Sequence, residues 1–470
     1  MNRMRSRVEE AVLRGPTALR DAAINVYGAY LRVRRFDRSF WRMYRELIES
    51  EHRSLEWHRE RQEAAFSQLM DYVWARVPFY RRRYEEYGLR RRQIQSLDDL
   101  KVLPVLNRSD IRNEFKSLLA EGLSARERVF RATSGTTGEK LRFALTPELQ
   151  WTAKTAQLYR TYAWAGVGPL ERRVTLGGRR FCARAPYWVF NRLENQLLLS
   201  VHHLGPDTVE EYARRIEEFK PVFIQGHPSA VAMVARHVLE ASNRRIVVRA
   251  VFTTGETMLP EQRAYIREAF GGHVIDCYGH GEGAAFASQC PRATGFHELS
   301  ELGVIELLSE DANEAKGEER VLATSLQNYA MPFIRYDTGD RAVPIEDRRC
   351  ECGRGLPLVM KEVIGRIDDR IALSARPGDY ILPVVARTRL KPFIGVAQSY
   401  QLIQTDYDEF TLRLVGTWDE AEREAMCEAL KDLVGRRCSI AVQRIGWAEM
   451  PSKGGKVRLI QSRVSGGATR

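Results

Sequence analysis

Glycine and hydroxyl residues alternate at residues 132–140, where the sequence reads Ala-Thr-Ser-Gly-Thr-Thr-Gly-Glu-Lys after a short apolar approach. Glycine lets backbone N–H groups turn toward an anion, and serine and threonine hydroxyls donate further hydrogen bonds without bulk. The segment therefore predicts a phosphate-binding loop. It is not a Walker A sequence, because residues 138–141 lack the Gly-Lys-Ser/Thr ending. Alone, such a cluster is equally typical of a surface turn.

Five further polar motifs follow this loop along the chain. In order they are Thr254-Gly255-Glu256, Tyr278-Gly279-His280-Gly281-Glu282, Arg335-Tyr336-Asp337-Thr338-Gly339-Asp340, Gly365-Arg366-Ile367-Asp368-Asp369 and Gly454-Gly455-Lys456. Together they resemble the core motifs of the acyl-adenylate-forming superfamily, and within it the phenylacetate-CoA ligase and capsular-polysaccharide CapK group. Residues 77–80, 103–106 and 289–297 are similar to runs of that group. Several motifs in the right order are far more specific than one.

The resemblance implies an ATP-dependent, AMP-forming ligase that activates a carboxylic acid, with an aryl acid as one candidate, as an acyl-adenylate. The acyl group would then pass to a thiol, for which coenzyme A is the expectation. The alternative acceptor is an amine or a sugar in polysaccharide biosynthesis. Because a carboxylate must attack the α-phosphorus of ATP, the site must offset repulsion between two anions and neutralise the leaving pyrophosphate.

The resemblance also implies which residues bind the nucleotide. The β- and γ-phosphates would lie in the loop, and the adenine and ribose would lie against the motifs that follow it. The loop residues are Ser134, Gly135, Thr136, Thr137 and Gly138. Tyr278 would lie against the adenine, with Gly255 and Glu256 beside the base, and Gly279 and His280 are further nucleotide-binding candidates. Asp340 would accept hydrogen bonds from the ribose hydroxyls with help from Arg366, since an ionised carboxylate is a strong acceptor.

Three residues would carry the chemistry. Glu282 would bind Mg²⁺, a hard cation that prefers carboxylate and phosphate oxygens. Lys456 would place its ammonium between the attacking carboxylate and the α-phosphate, with Lys453 as the neighbouring alternative. Asp368 would be the hinge about which the C-terminal domain swings between the two half-reactions.

Two positions depart from the pattern of the resembled family. The loop continues with Glu139 and Lys140, where the family usually has Gly-Lys-Pro, so an acid lies near the phosphates. Gly281 replaces a serine or threonine, which removes a hydroxyl expected near the α-phosphate. Both departures predict slowed adenylation or a specialised substrate.

Seven cysteines without a signal peptide argue against a disulfide framework. Cys290 and His297 close one loop, and Cys350 and Cys352 lie in a polar turn, so together they offer three sulfurs and one imidazole suited to structural zinc. Similar pairs occur in the resembled group. The Cys-x-Cys spacing is tighter than usual for zinc, and free cysteines are the alternative.

Composition restricts the other classes of function. No apolar run approaches the length of a membrane span, and with no signal peptide we expect a cytoplasmic protein. The net charge of +12 would attract nucleic acid, so a nucleic-acid-binding protein is an alternative. The basic bursts at residues 32–35, 81–83 and 90–92 are mixed with carboxylates and aromatics, however, and indicate an arginine-rich solvated face. A Gly-x-Gly-x-x-Ala run at residues 279–284 suggests an NAD(P)-dependent oxidoreductase, which would require a following helix.

The elements that must position these motifs predict an α/β fold. Residues 1–95 have few glycines or prolines and apolar residues at three- and four-residue spacing, which predicts a helical N-terminal region. Short apolar runs such as 222–224, 246–248 and 301–308 then alternate with helical stretches, which predicts buried strands in a large multi-sheet domain over residues 96–365. A small, mobile C-terminal α/β domain carrying the lysine is expected at residues 366–470.

Overall fold

The structure of the chain is a computed structural model. It describes residues 15–133, 141–177, 181–204, 206–240, 244–292, 295–309, 318–366, 371–373, 380–381, 397–446, 449, 452–453, 456–457 and 460–464.

Four helices form the N-terminal region: α1 Thr17–Arg35, α2 Arg38–Ser50, α3 Leu55–Arg76 and α4 Pro78–Glu86. Side chains cap the N-termini of α2 and α3: Asp37 accepts a hydrogen bond from the Phe40 amide, and Ser54 accepts one from the Trp57 amide. The predicted helical region is thus present. Six more helices follow, α5 Arg108–Asn113, α6 Lys154–Ala163, α7 Pro206–Phe219, α8 Pro228–Glu240, α9 Pro260–Phe270 and α10 Glu420–Val434. A π-helical turn, Glu148–Ala153, leads into α6.

A hairpin of β1 Val129–Ala132 and β2 Arg142–Leu145 precedes a central nine-stranded sheet. The strands of this sheet are β3 Arg173–Gly177, β4 Trp188–Asn191, β5 Gln196–Ser200, β6 Phe223–Gly226, β7 Ala250–Thr254, β8 His273–Gly279, β9 Phe286–Ser288, β10 Phe296–Glu298 and β14 Leu358–Met360. Their order is β14-β10-β9-β8-β7-β6-β3-β5-β4. The inner strands β5, β3, β6, β7 and β8 are parallel, so their carboxyl ends share one edge.

A second, antiparallel sheet orders β11 Gly303–Leu308, β12 Glu319–Ser325, β13 Tyr336–Val343 and β15 Glu362–Arg366. The C-terminal part has its own mixed sheet of β20 Ser439–Arg444, β19 Glu409–Gly416, β18 Ala397–Gln404 and β23 Ile460–Ser462. Two short hairpins accompany it, β16 Ile371–Ala372 with β17 Tyr380–Ile381, and β21 Ser452–Lys453 with β22 Lys456–Val457. α10 packs on the C-terminal sheet around a separate apolar core. The predicted α/β class is confirmed.

One predicted strand is wrong, and one alternative interpretation lacks the element it requires. Ile246 and Val248 are buried, Val247 is exposed, and the run is irregular: the Val248 amide donates to the Phe270 carbonyl, so this apolar run covers the core without joining a sheet. The run at residues 279–284 does not open a helix. It turns the chain from β8 into the antiparallel β9, with Gly279 opposite Phe286. Without a helix N-terminus to hold a pyrophosphate, this run is not a dinucleotide-binding motif.

Candidate active site

The carboxyl ends of β7 and β8 hold two of the polar motifs side by side. Thr254 lies opposite Cys277 in the parallel register, so Gly255 and Tyr278 leave neighbouring strands at the same edge. Gly255 has a φ of 85°, a conformation that glycine adopts without strain. Open α/β sheets bind ligands at this edge, which makes it the candidate active site.

Tyr278 connects two other predicted site residues. Its hydroxyl lies 3.0 Å from Asp340 Oδ2 and 2.7 Å from His280 Nε2. The carboxylate only accepts, so the tyrosine donates its one proton to Asp340 and the His280 Nε2–H donates to the tyrosine oxygen. Burial, together with the charge of Asp340, raises the pKa of Tyr278 well above its usual value. The tyrosine therefore stays neutral and holds the carboxylate in place.

Glu282 lies in the turn after β8 and is buried, with 3% of its surface exposed. The Tyr336 hydroxyl donates to its Oε1 at 3.5 Å. Tyr336 also bonds to the Arg108 side chain, whose Nη2 donates to the Thr338 carbonyl at 2.9 Å. Burial lowers the pKa of Arg108, but Tyr336, Glu282 and Asp340 outweigh it and raise the pKa overall. A permanent cation thus faces the two site carboxylates.

A lysine from α6 reaches the same turn. Lys154 Nζ donates to the Gly281 carbonyl at 3.0 Å and lies 5.6 Å from the centre of the Phe286 ring. Burial lowers the pKa of Lys154 to about 8, although the nearby charge of Glu282 opposes the shift. Lys154 is therefore a second cation beside the acidic pair, and it loses its charge within the accessible pH range.

Glu256 has a structural contact in addition to its predicted place beside the base. Its Oε2 accepts a hydrogen bond from the Ser229 amide at 3.1 Å, in the first turn of α8. The next residue, Thr257, donates through its hydroxyl to the Ile364 carbonyl at 3.3 Å. The motif after β7 is thereby in contact with the strand that leads to Gly365.

Strand pairing brings the last two described motifs together. Asp340 in β13 lies opposite Arg366 in β15. Lys456 begins β22 and lies opposite Lys453 in β21. The side chains of Arg366, Lys453 and Lys456 lie outside the described part of the structure, as do Asp368 and the loop residues Ser134, Gly135, Thr136, Thr137 and Gly138.

The base of the predicted phosphate loop is described on both sides. The Thr133 amide donates to the Leu141 carbonyl at 2.9 Å, and the Leu141 amide donates to the Thr133 hydroxyl at 3.1 Å. Phe143, on the returning strand β2, lies 3.6 Å from where a Cβ on Gly281 would be. The loop therefore begins and ends next to the turn that holds Glu282.

Sequence reasoning missed Arg108, Lys154 and Tyr336 as site residues. Tyr336 lies in a motif from which only Asp340 was predicted to bind the nucleotide, and Arg108 is one arginine among many. Lys154 carried a weak signal, because lysine is scarce beside arginine in this chain. Only the fold shows that α5 and α6 direct these two cations toward β8.

A second cluster lies where β9, β10 and the turn before β14 meet. The donor atoms of Cys290, His297, Cys350 and Cys352 all lie within 4.8 Å of one another. The Cys290 and Cys350 sulfurs are 3.8 Å apart, and Cys352 Sγ is 3.5 Å from His297 Nε2. A tetrahedral zinc with Zn–S of about 2.3 Å and Zn–N of about 2.0 Å would separate such atoms by about 3.8 Å and about 3.5 Å.

The surroundings of this cluster fix the histidine ring. His297 Nδ1 lies 2.8 Å from the Leu356 carbonyl, which can only accept, so Nδ1 carries the proton and Nε2 presents its lone pair to the sulfurs. The Trp164 ring packs edge-on against His297 at 5.5 Å and donates through Nε1 to Glu51 at 2.7 Å. Arg354 also pairs with Glu51. The donor set and its supporting shell both fit zinc.

Comparisons with known proteins agree with this arrangement. The chain is 27% identical over 383 residues to a phenylacetate-coenzyme A ligase of Thermus thermophilus, covering 77% of this chain and 80% of the relative. It is 24% identical over 378 residues to protein CapK of Staphylococcus aureus, covering 79% and 81%. The solved structure of a 2-hydroxyisobutyryl-CoA ligase in complex with an acyl-AMP superimposes with a TM-score of 0.66 at 18% identity, covering 88% and 91%. No family model matches the chain.

The chain shares the fold of the 2-hydroxyisobutyryl-CoA ligase, and its relatives support the predicted AMP-forming ligase. The chain is similar to the phenylacetate-CoA ligases and CapK, the group that the sequence motifs resemble. No described helix is long and apolar enough to cross a membrane.

Proposed function

We propose that this protein uses ATP to convert a small carboxylic acid, with an aryl acid as the first candidate, into its acyl-adenylate with release of pyrophosphate, and then transfers the acyl group to coenzyme A with release of AMP. One observation carries the proposal: two motifs far apart in the sequence are joined at the carboxyl edge of the parallel strands by two hydrogen bonds, Tyr278 to Asp340 and Tyr336 to Glu282. Relatives named phenylacetate-coenzyme A ligase support the acid and the thiol.

Each side chain has a task in the adenylation step. Asp340, oriented by Tyr278, accepts hydrogen bonds from the ribose hydroxyls, since a carboxylate can accept more than the one bond that the tyrosine gives it. Tyr336 and Arg108 orient Glu282. Glu282 is the described carboxylate that would hold Mg²⁺, which usually takes one or two protein carboxylates together with substrate phosphates. Bound there, the ion would neutralise charge on the departing pyrophosphate.

Lys154 supplies a further cation for the phosphates. In this chain the predicted loop carries Glu139 where the resembled family has lysine, so charge must be balanced elsewhere. The Lys154 ammonium lies at the turn that holds Glu282. As the carboxylate of the acid approaches the α-phosphorus, this ammonium lowers the repulsion between the two anions.

We further propose that Cys290, His297, Cys350 and Cys352 bind a structural zinc ion. Four protein ligands would close the tetrahedron and leave no position for substrate, which is typical of structural sites. The ion would tie β10 to the turn before β14. Zinc measured by mass spectrometry on protein purified without chelator should reach one ion per chain, and protein that binds none when supplied with zinc would contradict the proposal.

The test of the function is acid-dependent release of pyrophosphate. The protein is incubated with ATP and Mg²⁺ and a panel of aryl and short aliphatic acids, and the acyl-adenylate is identified by mass spectrometry. Coenzyme A, an amine or a sugar is then added to the adenylate. An acyl-CoA product supports the proposal, whereas an amide or sugar ester would favour the acceptor suggested by the similarity to CapK. Absence of pyrophosphate with every acid would argue against a ligase.

A further inference from the structure

An apolar stripe runs along the outer face of α1. Leu19, Val26, Tyr30 and Val33 recur at helical spacing and are 58%, 72%, 47% and 74% exposed. Ala22, also exposed, fills the remaining position of the stripe. A soluble helix normally presents charged and polar residues on this side.

The opposite face of α1 is already occupied. The Arg20 guanidinium donates to the Pro186 carbonyl at 2.8 Å, and the Asn25 amide donates to the Phe190 carbonyl at 3.1 Å. Gly28 lies so close to Asn191 that a Cβ there would be 2.3 Å from its side-chain oxygen. The helix is therefore fixed to the body of the protein by β4, and the apolar stripe is left facing outward.

Aromatic and basic residues border the stripe. Tyr27 stacks on Tyr30 at 6.1 Å, and Tyr30 packs edge-on against Trp151 at 6.4 Å. The Arg34 guanidinium lies 5.5 Å above the Tyr30 ring, and the Arg131 guanidinium lies 5.3 Å above Trp151. Tyrosine, tryptophan and arginine around an apolar strip are the composition of helices that lie in a membrane interface.

Carboxylates pair with part of each basic burst. Arg81, Arg82 and Arg83 pair with Glu121, Glu114 and Asp110, and Arg91 pairs with Asp71. On α1, Arg35 pairs with Glu194, whereas Arg34 lies over a tyrosine and has no carboxylate partner among the described residues. The 14 residues before the described chain add four arginines and two glutamates to the same end of the sequence. Within the described residues, Arg34 and Arg131 place positive charge beside the stripe.

The size of the face decides between a membrane and a second copy of the chain. With a rise of about 1.5 Å per residue and a diameter of about 10 Å, one face of this 19-residue helix has an area of roughly 300 Å². Two such faces would bury about 600 Å², below the roughly 1,200 Å² of a stable interface. A lipid surface needs no such minimum, because shallow insertion of apolar side chains adds to attraction between arginine and lipid phosphate.

We propose that the outer face of α1 lies on an anionic phospholipid surface, with Val26 and Val33 entering the boundary of the acyl chains and the flanking arginines contacting lipid phosphates. This inference is independent of the proposed reaction. It gives a role to the N-terminal helix and to part of the net positive charge, neither of which the adenylation chemistry uses.

Vesicle sedimentation of the full chain tests the proposal. We expect the protein to sediment with vesicles of two parts phosphatidylcholine to one part phosphatidylglycerol, and far less with phosphatidylcholine alone or at high salt. The double variant Val26→Glu with Val33→Glu should bind about tenfold more weakly, since two carboxylates would enter the interface. Val247→Glu is the matched control, because Val247 is 63% exposed and lies outside α1.

Both sites of the double variant are already in solvent, so the thermal unfolding midpoint should not change. Wild-type protein that stays in the supernatant with anionic vesicles overturns the proposal. So does a double variant that sediments like the wild type. If the wild type forms a dimer and does not bind vesicles, and the double variant is a monomer, the stripe would instead be an interface with a second copy of the chain.

Discussion

The nucleotide edge and the Cys/His cluster are both assembled from segments far apart in the sequence, yet they are built differently. At the edge, side chains bond to one another in open chains, as His280 does to Tyr278 and Tyr278 to Asp340. In the cluster, four donor atoms lie within 4.8 Å of one another and a packed shell surrounds them. The first arrangement leaves capacity for a substrate, while the second would be completed by one ion. Changes at the edge should therefore alter chemistry, and changes in the cluster should alter stability.

The largest expected effect is at Glu282. Glu282→Gln keeps the size of the buried side chain but removes the charge that would hold Mg²⁺, so acid-dependent pyrophosphate release should fall about 10³-fold, or about 4 kcal/mol in activation free energy. Steady-state kinetics at varied Mg²⁺ concentration measure this loss of activity. The unfolding midpoint should be unchanged or raised, since a buried charge is lost. A variant as active as the wild type would remove Glu282 from the site.

The cluster should show the opposite response. Cys352→Ser should abolish zinc binding and lower the free energy of unfolding by about 3 kcal/mol, because metal binding contributes directly to folding. Denaturant titration and metal analysis measure it, with Cys438→Ser, a buried cysteine of the C-terminal core, as the control that retains zinc. Equal zinc content in both variants would contradict this assignment.

The sequence motifs named residues that the fold brings close together, and their roles in binding and catalysis stay predictions. The glycine and tyrosine positions at the carboxyl ends of β7 and β8 and the carboxylate in β13 were named in advance, and the fold places the described ones together. The Cys-x-Cys turn was also named, although only the pairing of β10 with β14 brings it to His297. Arg108 and Lys154 could not be predicted, because a lone cation becomes functional only through the helix that carries it. The run at residues 246–248 failed as a strand because burial alone does not specify a sheet partner.

Lys154 should give a smaller effect with a distinctive pH signature. Lys154→Met should reduce pyrophosphate release by about tenfold, with little change in stability, since a partly desolvated cation is removed. The pKa of Lys154 is lowered to about 8, so its charge, and with it the rate, should decline as pH rises through 8. Lys154→Arg stays charged at every accessible pH, so that decline should disappear. A pH profile that is the same in all three proteins would exclude Lys154 from the reaction.

The smallest effect concerns the missing hydroxyl at Gly281. A Cβ there would lie 3.6 Å from Phe143, an ordinary contact, so Gly281→Ser should fold and raise the rate of adenylation about threefold by one added hydrogen bond. Gly279→Ser is the contrasting variant, because its Cβ would lie 2.6 Å from the Phe286 ring and force a shift. Single-turnover rates compare the two. Equal losses in both would indicate that the turn tolerates no side chain.

We propose that one nucleotide is bound across Tyr278, Glu282 and Asp340. The most direct measurement is exchange of labelled pyrophosphate into ATP, with and without the carboxylic acid, by the wild type, Asp340→Asn and Cys352→Ser. We predict acid-dependent exchange in the wild type, near-complete loss in Asp340→Asn and retention in Cys352→Ser at a temperature where it is folded. Exchange that survives in Asp340→Asn at the wild-type rate would contradict the account.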